Sequence, residues 1–133
     1  MPKSTSASNS ILALIFNATT WNLIAENDST SPATDLYLSL HTADPGVGGA
    51  QTTNETAYTN YARIAVARTT GGWDAPASGA TANAALAQFA QCGVTGATLT
   101  HVAIGTAASG AGLVLYAGAL TSSLAVANGI QPQ

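Results

Sequence analysis

Charge is what this sequence has least of. Only 7% of its 133 residues are Asp, Glu, Lys or Arg, against about 25% in an average soluble domain. The basic side chains are Lys3, Arg63 and Arg68. Nucleic-acid binding by phosphate neutralisation needs clustered Lys and Arg, and three scattered cations cannot supply it. Cys92 stands alone, which excludes an internal disulfide and a cysteine-rich metal site. Long apolar runs are lacking too. The segment "ILALIF" follows Lys3 as a signal-peptide core would, but it is short and "NATTWN" interrupts it. It is also too short to span a bilayer. The expectation is a protein made in a cytoplasm, not exported by its own signal, with no membrane partner. The Asn-x-Ser/Thr triplets at Asn17, Asn27 and Asn54 would then never meet the glycosylation machinery.

A surface so poor in charge is weakly protected against association. Either Thr, Ser and Asn solvate it, or neighbouring subunits cover much of it. The length fits one domain with a core that needs no staples. Residues 1–10, "MPKSTSASNS", lack apolar periodicity and read as a flexible arm. Ser8, Asn9 or Ser10 can cap a helix over residues 11–25, with Ile11, Leu14, Ile15, Ala18 and Asn22 on one stripe. It lacks the basic face of a membrane-surface helix. Residues 11–133 read as a single β-rich domain carrying this helix.

After Asp35 the period becomes two. In "LYLSLHT", Leu36, Leu38 and Leu40 face one way and Tyr37, Ser39 and His41 the other. "DPGVGG" is turn chemistry. "YARIAVART", "ATLTHVAIGTA", "GLVLYAGAL" and "SLAVANG" read as further strands, separated by Gly- and Ser-bearing turns. "TANAALAQFA" suits a helix by its alanines and a strand by its setting. The fold class expected is mainly β, an antiparallel β-sandwich or barrel-like domain with one N-terminal α-helix. Asn128-Gly129 is a strong hairpin signal, yet only "IQPQ" follows. Either the returning strand is very short, or the chain stops early, or another chain completes the edge.

Chemistry-bearing motifs are few. The serines lie in no G-x-S-x-G elbow. His41 and His101, the two imidazoles, fall in strands, where a lone histidine serves more often as a cross-strand polar residue than as a base. His41, Asp44 and His101 match no zinc or calcium loop spacing; Asp44 reads as the cap of its own turn. Glu26, Asp28, Asp35, Asp44, Glu55 and Asp74 sit mostly in loops, and glycosidase chemistry would need two of them facing one cleft. "GTAASGAG", from Gly105 to Gly112, is glycine-rich but lacks the Lys-Ser/Thr ending of a phosphate loop, and reads as a hairpin turn. Trp21, Trp73 and the tyrosines could line a sugar platform; in so Ala-rich a chain they suit the core or an interface better. Arg63 and Arg68 can pair with acids of a neighbour or point to solvent. The residues expected at an interface are Tyr37, Tyr61, Arg63, Arg68, Trp73 and Tyr116. No catalytic residue, metal ligand or cofactor is expected.

Taken together, "LYLSLHTADPG", "YARIAVAR", "THVAIGTAASGAGLVLYAGAL" and "SLAVANGI" resemble a family of small tailed-bacteriophage virion proteins commonly labelled tail-fibre proteins. The resemblance covers roughly Ile11 to Ile130, and its specificity lies in the ordered set of segments. Family members tend to continue past "NGI" into an Ala/Gly-rich strand that is lacking here. The resemblance implies a virion structural protein, synthesised in the host bacterial cytoplasm, whose partners are major capsid or tail proteins and copies of itself. A fibre shaft needs repeats or coiled coils, and this chain has neither. The expectation is therefore an outer capsid decoration, or cement, protein that stabilises the head. A small tail-fibre or tail-tip component acting in host attachment is the alternative, and a virion-borne carbohydrate-binding or hydrolytic module is the alternative of another class.

Overall fold

A computed structural model describes residues 4–21 and 32–133 of the chain. Its elements run α1 (Thr5–Phe16), β1 (Asp35–His41), β2 (Ile64–Ala67), β3 (Ala97–Gly105) and β4 (Val114–Val126). The chain is mainly β with one N-terminal helix, as the periodicity indicates. The four strands form one sheet in the order β2-β1-β3-β4. The described residues divide into two compact units. One contains α1 and residues 66–86; the other contains residues 36–65 and 87–133.

The helix occupies other residues than the apolar stripe indicates. Ser4 is its cap, with extended backbone and a side chain that accepts from Ala7 N at 3.1 Å. An N-cap oxygen satisfies one of the orphan donors of the first turn. Residues 5–10, expected in a flexible arm, are thus helical, and Asn9 Oδ1 accepts from Gly79 N at 2.6 Å. That contact supports serine-rich turns whose own propensity is weak. The helix stops at Phe16, where Asn17 and the β-branched Thr19 and Thr20 follow. Asn17 N and Thr19 N both donate to Ala13 O, and Ala18 turns the chain with φ 51°. The expected continuation through Asn17 does not form, and residues 22–25 of it lie outside the described residues, as do residues 1–3 of the arm. Phe16 is buried against Trp73, ring centroids 4.6 Å apart.

β1 and β3 are antiparallel, with Tyr37 opposite Gly105, Ser39 opposite Ala103 and His41 opposite His101. Leu36, Leu38 and Leu40 are buried, as their alternation requires, and so are Ser39 and His41 on the other face. A strand between two neighbours, covered on both faces, is the centre of its sheet. Tyr58, Phe89, Leu99, Ala103 and Val126 complete the core of this unit. Tyr58 meets Tyr61 edge-on at 5.3 Å, and Tyr61 stacks on Phe89 at 6.3 Å.

Two segments differ from their sequence reading. "GLVLYAGAL" and "SLAVANG" are not two strands but the single 13-residue β4. Leu99 pairs with Leu124 and His101 with Ala119, so Leu120–Ser123 stand opposite Thr100 alone. The Leu120–Ser123 stretch is an irregular bulge of four residues opposite one rather than a turn, a device that bends a strand without ending it. "TANAALAQFA" is neither helix nor strand. Its end and the two residues that follow explain the Asn128-Gly129 turn: Phe89 N donates to Pro132 O, Cys92 N to Ile130 O and Gly129 N to Cys92 O. The turn returns the chain onto residues 89–92, from earlier in the chain, so a very short arm is enough.

Candidate functional site

The centre of the sheet holds a polar pair, Ser39 and His41. His41 is fully buried. Its Nδ1 lies 2.9 Å from Thr53 O and its Nε2 2.9 Å from Ser39 Oγ. A carbonyl only accepts, so Nδ1 carries the proton and Nε2 accepts from the serine hydroxyl. Burial pushes the imidazole pKa below its ordinary value, outweighing the Thr53 hydrogen bond and the Glu55 charge, which act the other way. A serine within reach of an imidazole is half of a nucleophilic dyad. Here Ser39 is as fully buried as His41, and a backbone carbonyl stands where an orienting carboxylate would. The pair presents no exposed atom to a substrate. Its chemistry is that of a satisfied polar core.

The same occupancy bears on metal binding. Both ring nitrogens of His41 are engaged, and Asp44 Oδ1 accepts from Gly46 N at 2.8 Å, capping its own turn. His101 directs Nδ1 to Thr100 Oγ1 at 2.8 Å. Among the described residues no three His, Cys, Asp or Glu side chains come together as ligands. Glu26 and Asp28 lie outside the described residues.

The second cluster was not legible as such. Glu55 Oε1 accepts from Arg63 Nε and Oε2 from an Arg63 terminal nitrogen, each at 2.7 Å. The same guanidinium donates to Ala107 O and Gly110 O, both at 2.8 Å. The Tyr61 hydroxyl donates to Glu55 Oε1 at 2.8 Å and accepts from Leu40 N at 3.1 Å. The Arg63 side chain is 3% exposed and that of Glu55 14%. Burial pushes the Glu55 carboxyl up, but the hydrogen bonds from Arg63 and Tyr61, with the Arg63 charge, outweigh it and hold the pKa below its ordinary value. Burial pushes the Tyr61 hydroxyl well up.

This cluster explains the glycine-rich turn. Arg63 grips it from outside at Ala107 and Gly110, and Gln51 fills it from within. Gln51 is fully buried, its Oε1 accepting from Ala107 N at 2.9 Å and its N donating to Gly112 O at 2.8 Å. A Cβ on Gly105 or Gly112 would run into the Gln51 side chain. The glycines at 105 and 112 therefore make room for a glutamine, not for a phosphate. An open recess of about 280 Å³ borders Glu55, Arg63 and Gly110; its two charges already neutralise each other.

The residues expected at an interface separate accordingly. Tyr61 and Arg63 are engaged in the cluster just described. Arg68 closes the end of α1: its guanidinium donates to Ile15 O at 2.6 Å, Leu14 O at 2.7 Å and Ala33 O at 2.7 Å. A cation is favoured at a helix C-terminus, where the last carbonyls have no partner within the helix. Trp73 is buried on Phe16. Tyr37 is half-buried on β1, and Tyr116 on β4 is 42% exposed. A sugar platform would need exposed rings side by side; Trp73 and Tyr58 are buried, Trp21 is half-buried, and these rings form no such surface.

What lies at the surface is β4. Tyr116–Ala119 and Thr121–Ala125 are exposed, residues of both faces alike. The strand "VLYAGALTSSLAV" carries no charge and no proline, and it is the last strand of the sheet. An open recess of about 340 Å³ separates the Asp44–Gly48 loop from its first residues, Val114–Ala117. Among the described residues no helix is long and apolar enough to cross a membrane.

Residues 2–132 match a protein family described as "Podophage GP4 fiber I protein gp80". No curated protein matches the chain.

Proposed function

The chain belongs to the podophage GP4 fiber I protein gp80 family, and from that membership we propose that it is a subunit of a virion fibre, a small tail-fibre or tail-tip component. The family match, which spans nearly the whole chain, carries the reading. That it is a phage virion structural protein follows from membership itself. The family's description favours the fibre over the head-cement role that the size and the lack of repeats point to. The surface is consistent with it: a subunit that docks through backbone and small side chains needs few charges, and β4 supplies both. The Ser39–His41 pair, buried and held by a carbonyl, supports a structural rather than a hydrolytic role.

Locating the chain on the particle tests the reading. A gold-labelled antibody against the native protein is expected to mark the tail, in a small fixed number of copies per virion. Label spread over the head in lattice numbers would overturn the fibre reading and restore the cement one.

A further inference from the structure

We propose that Asn128 is a modification site held in check by the fold: its side-chain amide persists while residues 130–132 lie on residues 89–92, and converts to aspartate or isoaspartate when they lift away. The proposal rests on the fold and stands apart from where on the virion the protein sits.

Asn128 is the asparagine that a glycine follows, and both residues are exposed to water. Glycine has no Cβ to shield its nitrogen from a neighbouring side chain. The reaction is a ring closure followed by a hydrolysis. The Gly129 nitrogen loses its proton to solvent and attacks Asn128 Cγ. The new C–N bond forms as the side-chain amide nitrogen takes a proton and leaves as ammonia. Water then opens the succinimide at one of its two carbonyls. Opening at the side-chain carbonyl gives aspartate. Opening at the main-chain carbonyl gives isoaspartate, whose main chain is one carbon longer. Water is the only co-reactant, and nothing is oxidised or reduced.

The folded turn opposes ring closure in two ways. Gly129 N, the nucleophile, donates to Cys92 O at 2.9 Å, so its proton is held in a hydrogen bond. The turn itself is of type II: Ile130 N donates to Ala127 O at 2.9 Å, Gly129 has φ 85°, and Asn128 is not among the residues of positive φ. Such a turn sets ψ of its first central residue at about +120°. On an L-residue that angle turns the next nitrogen away from Cβ, whereas a five-membered ring requires the two to eclipse. Both obstacles depend on the returning arm. Cys92 N donates to Ile130 O at 2.8 Å and Phe89 N to Pro132 O at 2.9 Å. Gln91 Nε2 donates to Gly129 O at 2.7 Å and Gln131 Nε2 to Phe89 O at 3.0 Å. Phe89, Cys92 and Pro132 are buried. Once the arm lifts, the Gly129 nitrogen is released and the turn can rotate. Conversion then makes the opening one-way. Either product adds a negative charge, and the longer main chain of isoaspartate no longer brings Ala127 O and Ile130 N together at the spacing of a four-residue turn.

The test incubates the full chain at neutral pH and follows residue 128 by peptide mapping. The reactivity of the buried Cys92, the chain's one thiol, toward a thiol reagent gives an independent reading of arm opening. Conversion that proceeds from the open arm has a rate that scales with the open fraction. Several hydrogen bonds must break to open the arm, so the native wild type should convert at least about a hundredfold more slowly than the same chain in guanidinium. Gln91→Ala/Gln131→Ala removes two of those bonds at exposed side chains. It should convert roughly tenfold faster than the wild type, with a matching rise in Cys92 reactivity and unchanged circular dichroism. Equal rates in the native and denatured wild type, a comparison that needs no variant, would overturn the proposal. So would a double variant that converts at the wild-type rate.

Discussion

Replacing Arg63 by Met tests the polar cluster most directly. The substitution keeps much of the side chain's length and removes its charge and all its donors. Three acceptors lose partners at once: the Glu55 carboxylate, Ala107 O and Gly110 O. An exposed ion pair would cost about 0–1 kcal/mol to break. This one is not exposed, since the Arg63 side chain is 3% accessible, and removing one partner of a buried pair costs about 3–5 kcal/mol. For a chain of this length each kcal/mol moves Tm by roughly 3–5 °C, so a fall of about 10–20 °C is expected at pH 7. The pH dependence supplies the signature. In the wild type the Glu55 pKa lies below its ordinary value, so its contribution is present at neutral pH and is lost as pH falls through the folded pKa. Without Arg63, the Tyr61 hydrogen bond is the main effect left to oppose burial, and the pKa of the carboxyl rises. The variant's deficit is then greatest at neutral pH and shrinks as Glu55 takes up a proton. Calorimetry at pH 7 and pH 4 should show the two proteins converging in acid. A loss below about 1 kcal/mol at pH 7, the value of an exposed pair, or a deficit that does not narrow, would refute the reasoning.

Arg68→Ala should cost about 1–2 kcal/mol by stripping hydrogen bonds from Leu14 O, Ile15 O and Ala33 O, with a loss of helical signal in far-UV circular dichroism; Arg68→Lys should recover less than half, because an ammonium cannot fork across three carbonyls. His41→Gln addresses acid stability. The folded imidazole titrates below the ordinary 6.5 because it is buried, so its contribution is present above that pH and is lost below it, at up to about 1.4 kcal/mol per pH unit. Chemical denaturation between pH 6.5 and 5 should show that slope in the wild type and a flatter one in the variant, which will also be less stable at neutral pH for want of the Thr53 contact.

The strands β1, β2 and β3 were legible because period two is a local property of sequence, and the central leucines announce it. The Gly105–Gly112 segment also read correctly as a turn. What fills that turn did not. Gln51 and Glu55 lie in "AQTTNET", a polar stretch with no periodicity, and nothing in it says that one side chain is to be wholly buried. The start of α1 was missed because its first two turns are polar; an apolar stripe marks the buried part of a helix, not its cap, and Ser4 lies among several equally good capping residues. β4 was divided in two because Thr-Ser-Ser carries turn composition, while a bulge accommodates the same residues without reversing the chain. The partner of the Asn128-Gly129 turn was invisible for another reason: residues 89–92 lie some 40 positions earlier, and pairing over that distance leaves no local trace. Trp73, which by residue type suits the core or an interface, is buried on Phe16, and the Arg68 guanidinium turns onto the end of α1; neither placement has a local trace in the sequence.

The polar interior of β1 also bears on how the chain finds its register. Leu36, Leu38 and Leu40 repeat every two residues, so sliding β1 by two positions along β3 would put leucine where leucine belongs. Hydrophobic burial alone does not detect that error. The imidazole does. In the native register the buried His41 donates to the Thr53 carbonyl; after a two-residue slide either Ser39 or Ala43 would stand in its place, and a buried imidazole N–H would lose its acceptor at a cost of about 1–3 kcal/mol. A histidine that performs no reaction can still act as a proofreading mark, separating the correct alignment from the near-miss that the leucines tolerate.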